Sequence, residues 1–217
     1  MYSYLGTSST GDFKLCAQLM KNGGNSVIAY VYTLYGERSL NDIYRDVDRY
    51  MTDYGEEILD GFFLDETMAI YQAEHVLKYQ TITDYIRSKF TEKEALVIGN
   101  PGASPHYQTL EVSGMSSVVA FEQPFSKTQA PCQAYSYNTI WCSLGETQLM
   151  STFIEKTTTG NIKPNQVVTL IYATDVEELE AALQVAIQSY SGTQLSKLSR
   201  TLLSNKCILR PHLCDRR

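Results

Sequence analysis

The sequence predicts an α/β protein built on a parallel sheet, and three observations lead there. Short, β-prone apolar runs recur at 27–33, 58–66, 95–99, 118–121, 138–142 and 167–172. Segments with apolar residues at helical spacing alternate with most of them, at 13–22, 39–54, 71–90, 146–158 and 176–190. Several of the runs end in polar or acidic residues. Strand alternating with helix implies right-handed crossovers, which put all strand carboxyl ends on one side of the sheet.

The run at 58–66 organises the rest. Residues 61–65 are too apolar for a surface loop and lead into two adjacent carboxylates, Asp65 and Glu66. A strand covered on both faces reads as a near-continuous apolar run, with charge tolerated where it emerges. Side chains alternate along a strand, so Asp65 and Glu66 reach one cleft only if the chain turns between them.

The other elements follow in order. Residues 7–12 form a turn or cap cluster, followed by Phe13, Leu15, Cys16, Leu19 and Met20 at helical spacing and a stop at Asn22-Gly23-Gly24. The second buried strand, 27–33, exits through a loop holding Tyr35, Gly36, Glu37 and Arg38. Ser39 with Asp42 three residues on is an N-cap pair opening a helix through Ile43, Val47 and Tyr50 to about Tyr54. Val76, Tyr79, Ile82, Ile86 and Phe90 supply the buried stripe of the helix at 71–90. The strand at 95–99 ends in Asn100-Pro101-Gly102, and the run at 118–121 ends in Glu122. Residues 1–190 read as one domain; 191–217 is a basic tail with net charge +5, from six Lys and Arg against Asp215, and is expected to be solvated.

Composition narrows the function. A net charge of −6 lacks the concentrated basic surface that nucleic acid requires. No apolar run approaches the ~20 residues of a membrane span, and residues 1–10 contain neither a charged n-region nor an apolar h-region. Cys16, Cys132, Cys142, Cys207 and Cys214 show no metal-ligand spacing, so neither metal nor other cofactor is expected. None of His75, His106 and His212 lies at a strand end and no G-x-S-x-G elbow occurs, which disfavours Ser/His chemistry. A phosphate-binding barrel would need a Gly-rich loop at a helix start, whereas Asn22-Gly23-Gly24 precedes a strand.

Carboxylates remain as the candidate machinery. Asp65, Glu66 and Glu122 stand at carboxyl ends on two strands separated by one, with Asn100 on the strand between. Such strands lie roughly 10 Å apart at the backbone given ~4.8 Å spacing. The carboxyl pairs of glycosidases stand ~5 to 9.5 Å apart, so the geometry permits glycoside hydrolysis. Tyr32, Tyr35 and Asn100 are candidate substrate-binding residues, joined, through the family resemblance of the segments given next, by Tyr172 and by Arg38, which is expected to neutralise or orient a nearby carboxylate.

Segments 29–38, 60–66, 100–102 and 119–122, in this order and spacing, resemble the spherulation-specific family 4 (spherulin-4-like) proteins; residues 172–175 resemble the family's last barrel strand and its exit. The resemblance implies a (β/α)8 barrel similar to fungal glycosidases that cut galactosamine-containing exopolysaccharide, with Asp65, Glu66 and Glu122 as the catalytic carboxylates. It covers roughly residues 5–190 and implies two further strands before the first one seen here, so that about six strands of eight are expected. A longer chain with those strands restored would, by the same resemblance, be extracellular. The expected partner is a polysaccharide or oligosaccharide, and the expected state a monomer. A non-catalytic carbohydrate-binding or developmental protein on the same scaffold is the alternative; Trp141 would then lie near sugar, unless it fills the core.

Overall fold

The computed structural model describes residues 10–69, 72–102, 113–124, 166–172 and 206–209. In chain order these form α1 (Thr10–Asn22), β1 (Ser26–Tyr32), a short 3-10 turn (Leu34–Gly36), α2 (Leu40–Tyr54), β2 (Gly61–Asp65), α3 (Ala73–Arg87), β3 (Leu96–Asn100), β4 (Ser117–Pro124), β5 (Val167–Tyr172) and β6 (Lys206–Leu209). The strands make one parallel sheet in the order β5-β4-β3-β2-β1-β6. Five of the six expected strands are thus present. The sixth, 138–142, lies outside the described residues, as do the helices expected at 146–158 and 176–190 and the residue Trp141. Because β4 pairs directly with β5, no strand stands between them.

One expectation is corrected. The basic tail contributes β6, whose Lys206–Leu209 pair with Ser26–Ala29 on the outer edge of β1. Cys207, Ile208 and Leu209 are a short β-prone run between cations, and pairing satisfies the backbone groups that an open edge would leave to solvent.

Both faces of β2 are buried, which is why its sequence does not alternate. Phe62 and Leu64 face the helices with Val27, Ala29, Val31 and Val97, against Ala17, Ile43, Val47, Tyr79, Ile82 and Ile86. Phe62 lies between the Tyr50 and Phe90 rings, edge-on at 6.1 and 6.4 Å between centroids. On the other face Ile28, Phe63, Ile98, Val119 and Val168, one from each of β1 to β5, form a second apolar layer with Tyr30 and Leu96 against it. The stripe expected for the helix at 71–90 is buried throughout, although α3 ends at Arg87 and Phe90 lies beyond it. In α1 the pattern is narrower than the sequence suggested: Phe13 and Ala17 are buried whereas Leu15 and Leu19 are exposed, because a 3.6-residue repeat turns positions 15 and 19 away from the face carrying 13, 17 and 20.

The start of β2 pins the sheet. A Cβ on Gly61 would lie 1.8 Å from the Leu96 carbonyl oxygen, so only glycine lets β2 and β3 pair here. Beside it the Asp60 carboxylate accepts from the Val27 amide at 2.9 Å and from Lys21 and Lys93 at 2.5 and 2.8 Å. Its backbone completes the joint: Asp60 N donates to Val27 O, and Leu96 N donates to Asp60 O. Burial pushes the Asp60 carboxyl up, but the hydrogen bonds from Lys21, Lys93 and Val27 outweigh it and hold the group below its ordinary 3.8. A lowered carboxyl stabilises the fold above 3.8, and that contribution is lost as pH falls through the folded value. Asp60→Asn should therefore cost about 1–3 kcal/mol at neutral pH, and the cost should shrink below pH 3.8. Urea midpoints measured across this range check it; a cost independent of pH would contradict the ion cluster.

Candidate functional site at the carboxyl end of the sheet

Register assembles the site. Tyr32 pairs with Asp65, and Asp65 with Asn100, at the last positions of β1, β2 and β3. Phe63 and Ile98, two residues earlier on their strands, belong to the second apolar layer, so alternation places Asp65 and Asn100 above that layer on the same face. Asn100 Nδ2 donates to Asp65 Oδ1 at 2.9 Å, and the Tyr30 hydroxyl donates to Asp65 Oδ2 at 2.7 Å. Both carboxylate oxygens are thus held by neutral donors. Asn100 is buried, and its own Oδ1 accepts from the Gly102 amide, which fixes the amide orientation.

The chain does turn between the two carboxylates. Glu66 has φ +51°, in the left-handed region, at a cost of order 1–3 kcal/mol for a non-glycine residue. Leu34 (φ +51°) and Tyr35 (φ +50°) are the other such residues among those described, and they lie in the facing loop after β1. The two loops are joined: Tyr35 N donates to Glu66 O at 2.6 Å and Thr33 N to Asp65 O at 3.0 Å. Burial, then the charge of Asp65, pushes the Glu66 carboxyl above its ordinary 4.5. The Tyr35 phenol is likewise raised, by burial and then by Glu66, Asp65 and Tyr32, which places its half-exposed ring at the same site.

Arg38 behaves as expected in part. It neutralises a carboxylate, but that carboxylate is Asp46 of α2, at 2.5 Å, not Asp65 or Glu66. Its other nitrogen donates to the Tyr32 carbonyl at 2.9 Å, and the guanidinium lies 5.9 Å from the centre of the Tyr32 ring. Arg38 therefore ties the exit of β1 to α2 and steadies Tyr32.

On β4 the register shifts between Val119 and Phe121 and resumes with Glu122 opposite Leu170. Tyr172 pairs with Pro124 at the end of β5.

Two participants were not singled out as site residues in the sequence. Tyr30 holds Asp65, and a tyrosine on the inner face of a buried strand, two positions before another, needs a hydroxyl partner; that was the available signal. Thr33 reads as a strand end, yet its hydroxyl reaches the carbonyls of Asp65 and Glu66 at 3.0 and 2.7 Å. Nothing local predicts that.

Fold and site together define an α/β protein with carboxylates gathered at the carboxyl end of a parallel sheet. A model of the spherulation-specific family 4 matches residues 8–199, and the chain belongs to that family. It is similar to Spherulin-4 of Physarum polycephalum, 34% identical over 99 residues that make up 46% of this chain and 27% of that protein. The match therefore spans well under two thirds of that relative. Among solved structures it is similar to Sph3 of Aspergillus clavatus, crystallised in complex with GalNAc, with a TM-score of 0.59 and 20% identity over 91% of this chain and 69% of that one. That likeness bears on the fold.

Two outcomes follow. Arg38→Lys keeps the charge but loses the planar fork that serves Asp46 and Tyr32 O together, and should cost about 1 kcal/mol by chemical denaturation; unchanged stability would remove this role. For Glu66, a raised carboxyl stabilises the folded state below the ordinary 4.5 and loses that contribution as pH rises through the folded value. Glu66→Gln avoids the loss, so its melting temperature relative to the native chain should climb between pH 4.5 and neutrality. A difference that does not vary with pH would contradict a desolvated, charge-opposed Glu66.

Proposed function

We propose that this protein is a glycoside hydrolase acting on an amino-sugar-containing polysaccharide through Asp65, Glu66 and Glu122, on a barrel of the (β/α)8 type. The observation that carries the reading is the contrast between adjacent carboxyls: Asp65 accepts from Tyr30 and Asn100 on both oxygens, whereas Glu66 is pushed up by burial and by Asp65. Desolvation and the neighbouring charge favour the protonated form of Glu66. Glycoside hydrolysis needs such a proton-holding carboxyl beside a second carboxyl group.

In this scheme a protonated glutamic acid, Glu66 or Glu122, delivers its proton to the glycosidic oxygen as the bond from the anomeric carbon breaks. Asp65 faces the positive charge that develops on the sugar ring. Water then adds at the anomeric carbon and its proton returns to the glutamate, restoring the starting state. Tyr32 and Tyr35 offer aromatic faces for sugar rings, and Tyr172 lies at a strand end on the same side. Family membership, the likeness in fold to a protein crystallised with GalNAc, and the sequential parallel order of β1 to β5 support the substrate class and the barrel.

The test is release of reducing ends from a galactosamine-containing polymer. Asp65→Asn and Glu122→Gln should each lower the rate by about 10²- to 10⁴-fold while the chain stays folded. Binding of the polymer without turnover by the native chain would favour a carbohydrate-binding protein instead, and turnover indifferent to both substitutions would overturn the assignment.

A further inference from the structure

The left-handed turn at Glu66 is held by groups that lie outside the carboxylate cluster. Thr33 and Tyr79 are both fully buried, on β1's exit and α3 respectively. The Thr33 hydroxyl lies 2.7 Å from Glu66 O and 3.0 Å from Asp65 O, and 3.1 Å from the Tyr79 hydroxyl. A hydroxyl has one proton to give. A carbonyl only accepts, so Thr33 gives its proton to the carbonyls of the carboxylate pair, and its own oxygen is left to accept from Tyr79. Burial pushes the Tyr79 phenol up to about 12, so its proton is present at any working pH.

We infer that Thr33 and Tyr79 are positioning residues for the carboxylate pair, a two-hydroxyl relay that runs from α3 and holds Glu66 in the left-handed conformation that keeps it beside Asp65. The relay runs from α3 to the backbone of Glu66, so it braces the connection after β2 from the helix side of the sheet. Tyr35 N, donating to Glu66 O, supplies the second fastening. The consequence for catalysis rests on the glycosidase reading; the consequence for the backbone does not.

The experiment removes one hydroxyl at a time and reads the backbone directly. In Thr33→Val and Tyr79→Phe the Tyr35 amide should exchange with solvent at least about tenfold faster, while the Leu96 amide at the far end of the sheet keeps its native rate. Thr33→Ser, which retains the hydroxyl, should keep native protection. With polymer substrate, the first two variants should lose about 10- to 100-fold in kcat with KM unchanged, as expected when a reacting group is displaced slightly. Should Tyr79→Phe fail to fold, adding Glu66→Gly must recover a folded chain, because glycine adopts a φ near +50° unaided. Native Tyr35 protection in both variants, a Thr33→Ser as impaired as Thr33→Val, or no recovery by Glu66→Gly would each overturn the relay. Exchange is read without substrate, so a native chain that hydrolyses nothing would remove the proposed function and leave this result to stand or fall alone.

Discussion

Parallel strands transmit their register to whatever stands at their ends, and in this protein the register of β1, β2 and β3 is the constraint on which the site depends. A slip of one residue would send every side chain to the other face and separate Asp65 from Asn100 and Tyr30. The slip is opposed at both ends. At the amino end, Gly61 admits the Leu96 carbonyl where any side chain would collide, and Asp60 gathers Val27, Lys21 and Lys93. At the carboxyl end, Thr33 and Tyr35 grip the backbone of Asp65 and Glu66. The apolar layers on the two faces supply most of the free energy of burial, but they would accept several alignments; the polar joints select one.

The carboxyl end also carries features that weaken a fold. The non-glycine residues in left-handed conformation among those described are Leu34, Tyr35 and Glu66, and the buried polar side chains Thr33, Thr67 and Asn100 lie beside them. Each left-handed residue raises the energy of the native state, and each buried polar group must find a partner. The Thr33 hydroxyl donates to Glu66 O and the Asn100 amide to Asp65, while the backbone of Thr67 donates to that of Asn100. A region that is individually strained and mutually bonded is where a protein holds side chains in positions that local preference would not supply. Among the described residues the opposite end carries no non-glycine residue in the left-handed region, and Asp60 there serves stability.

Much of this was legible in the sequence. Strand and helix alternate visibly because apolar runs and 3.6-residue stripes differ in period, and helix α2 announced its own start through Ser39 and Asp42, whose capping contact is present. The nomination of Asp65 and Glu66 began from charge at the end of a buried run, and Asn100 from the Asn-Pro-Gly turn that ends the next strand, signals that are local and therefore readable. The need for a turn between Asp65 and Glu66 follows from side-chain alternation alone.

What only the tertiary structure decided concerns partners distant in the chain. Arg38 was expected to meet a carboxylate, but the choice of Asp46 depends on how α2 packs against β1, which no spacing encodes. That residues 206–209 would join β1 could not be read from a basic tail, since pairing depends on which edge lies open. The Tyr30 and Thr33 contacts join residues more than thirty positions apart, and Tyr79, legible only as part of an apolar stripe, turned out to carry a hydroxyl to the one buried position where it is needed. Sequence determines which residues are buried, because burial follows from local hydrophobic period; register and packing determine which of the buried polar groups meet, because that depends on the three-dimensional alignment of elements whose order along the chain leaves it open.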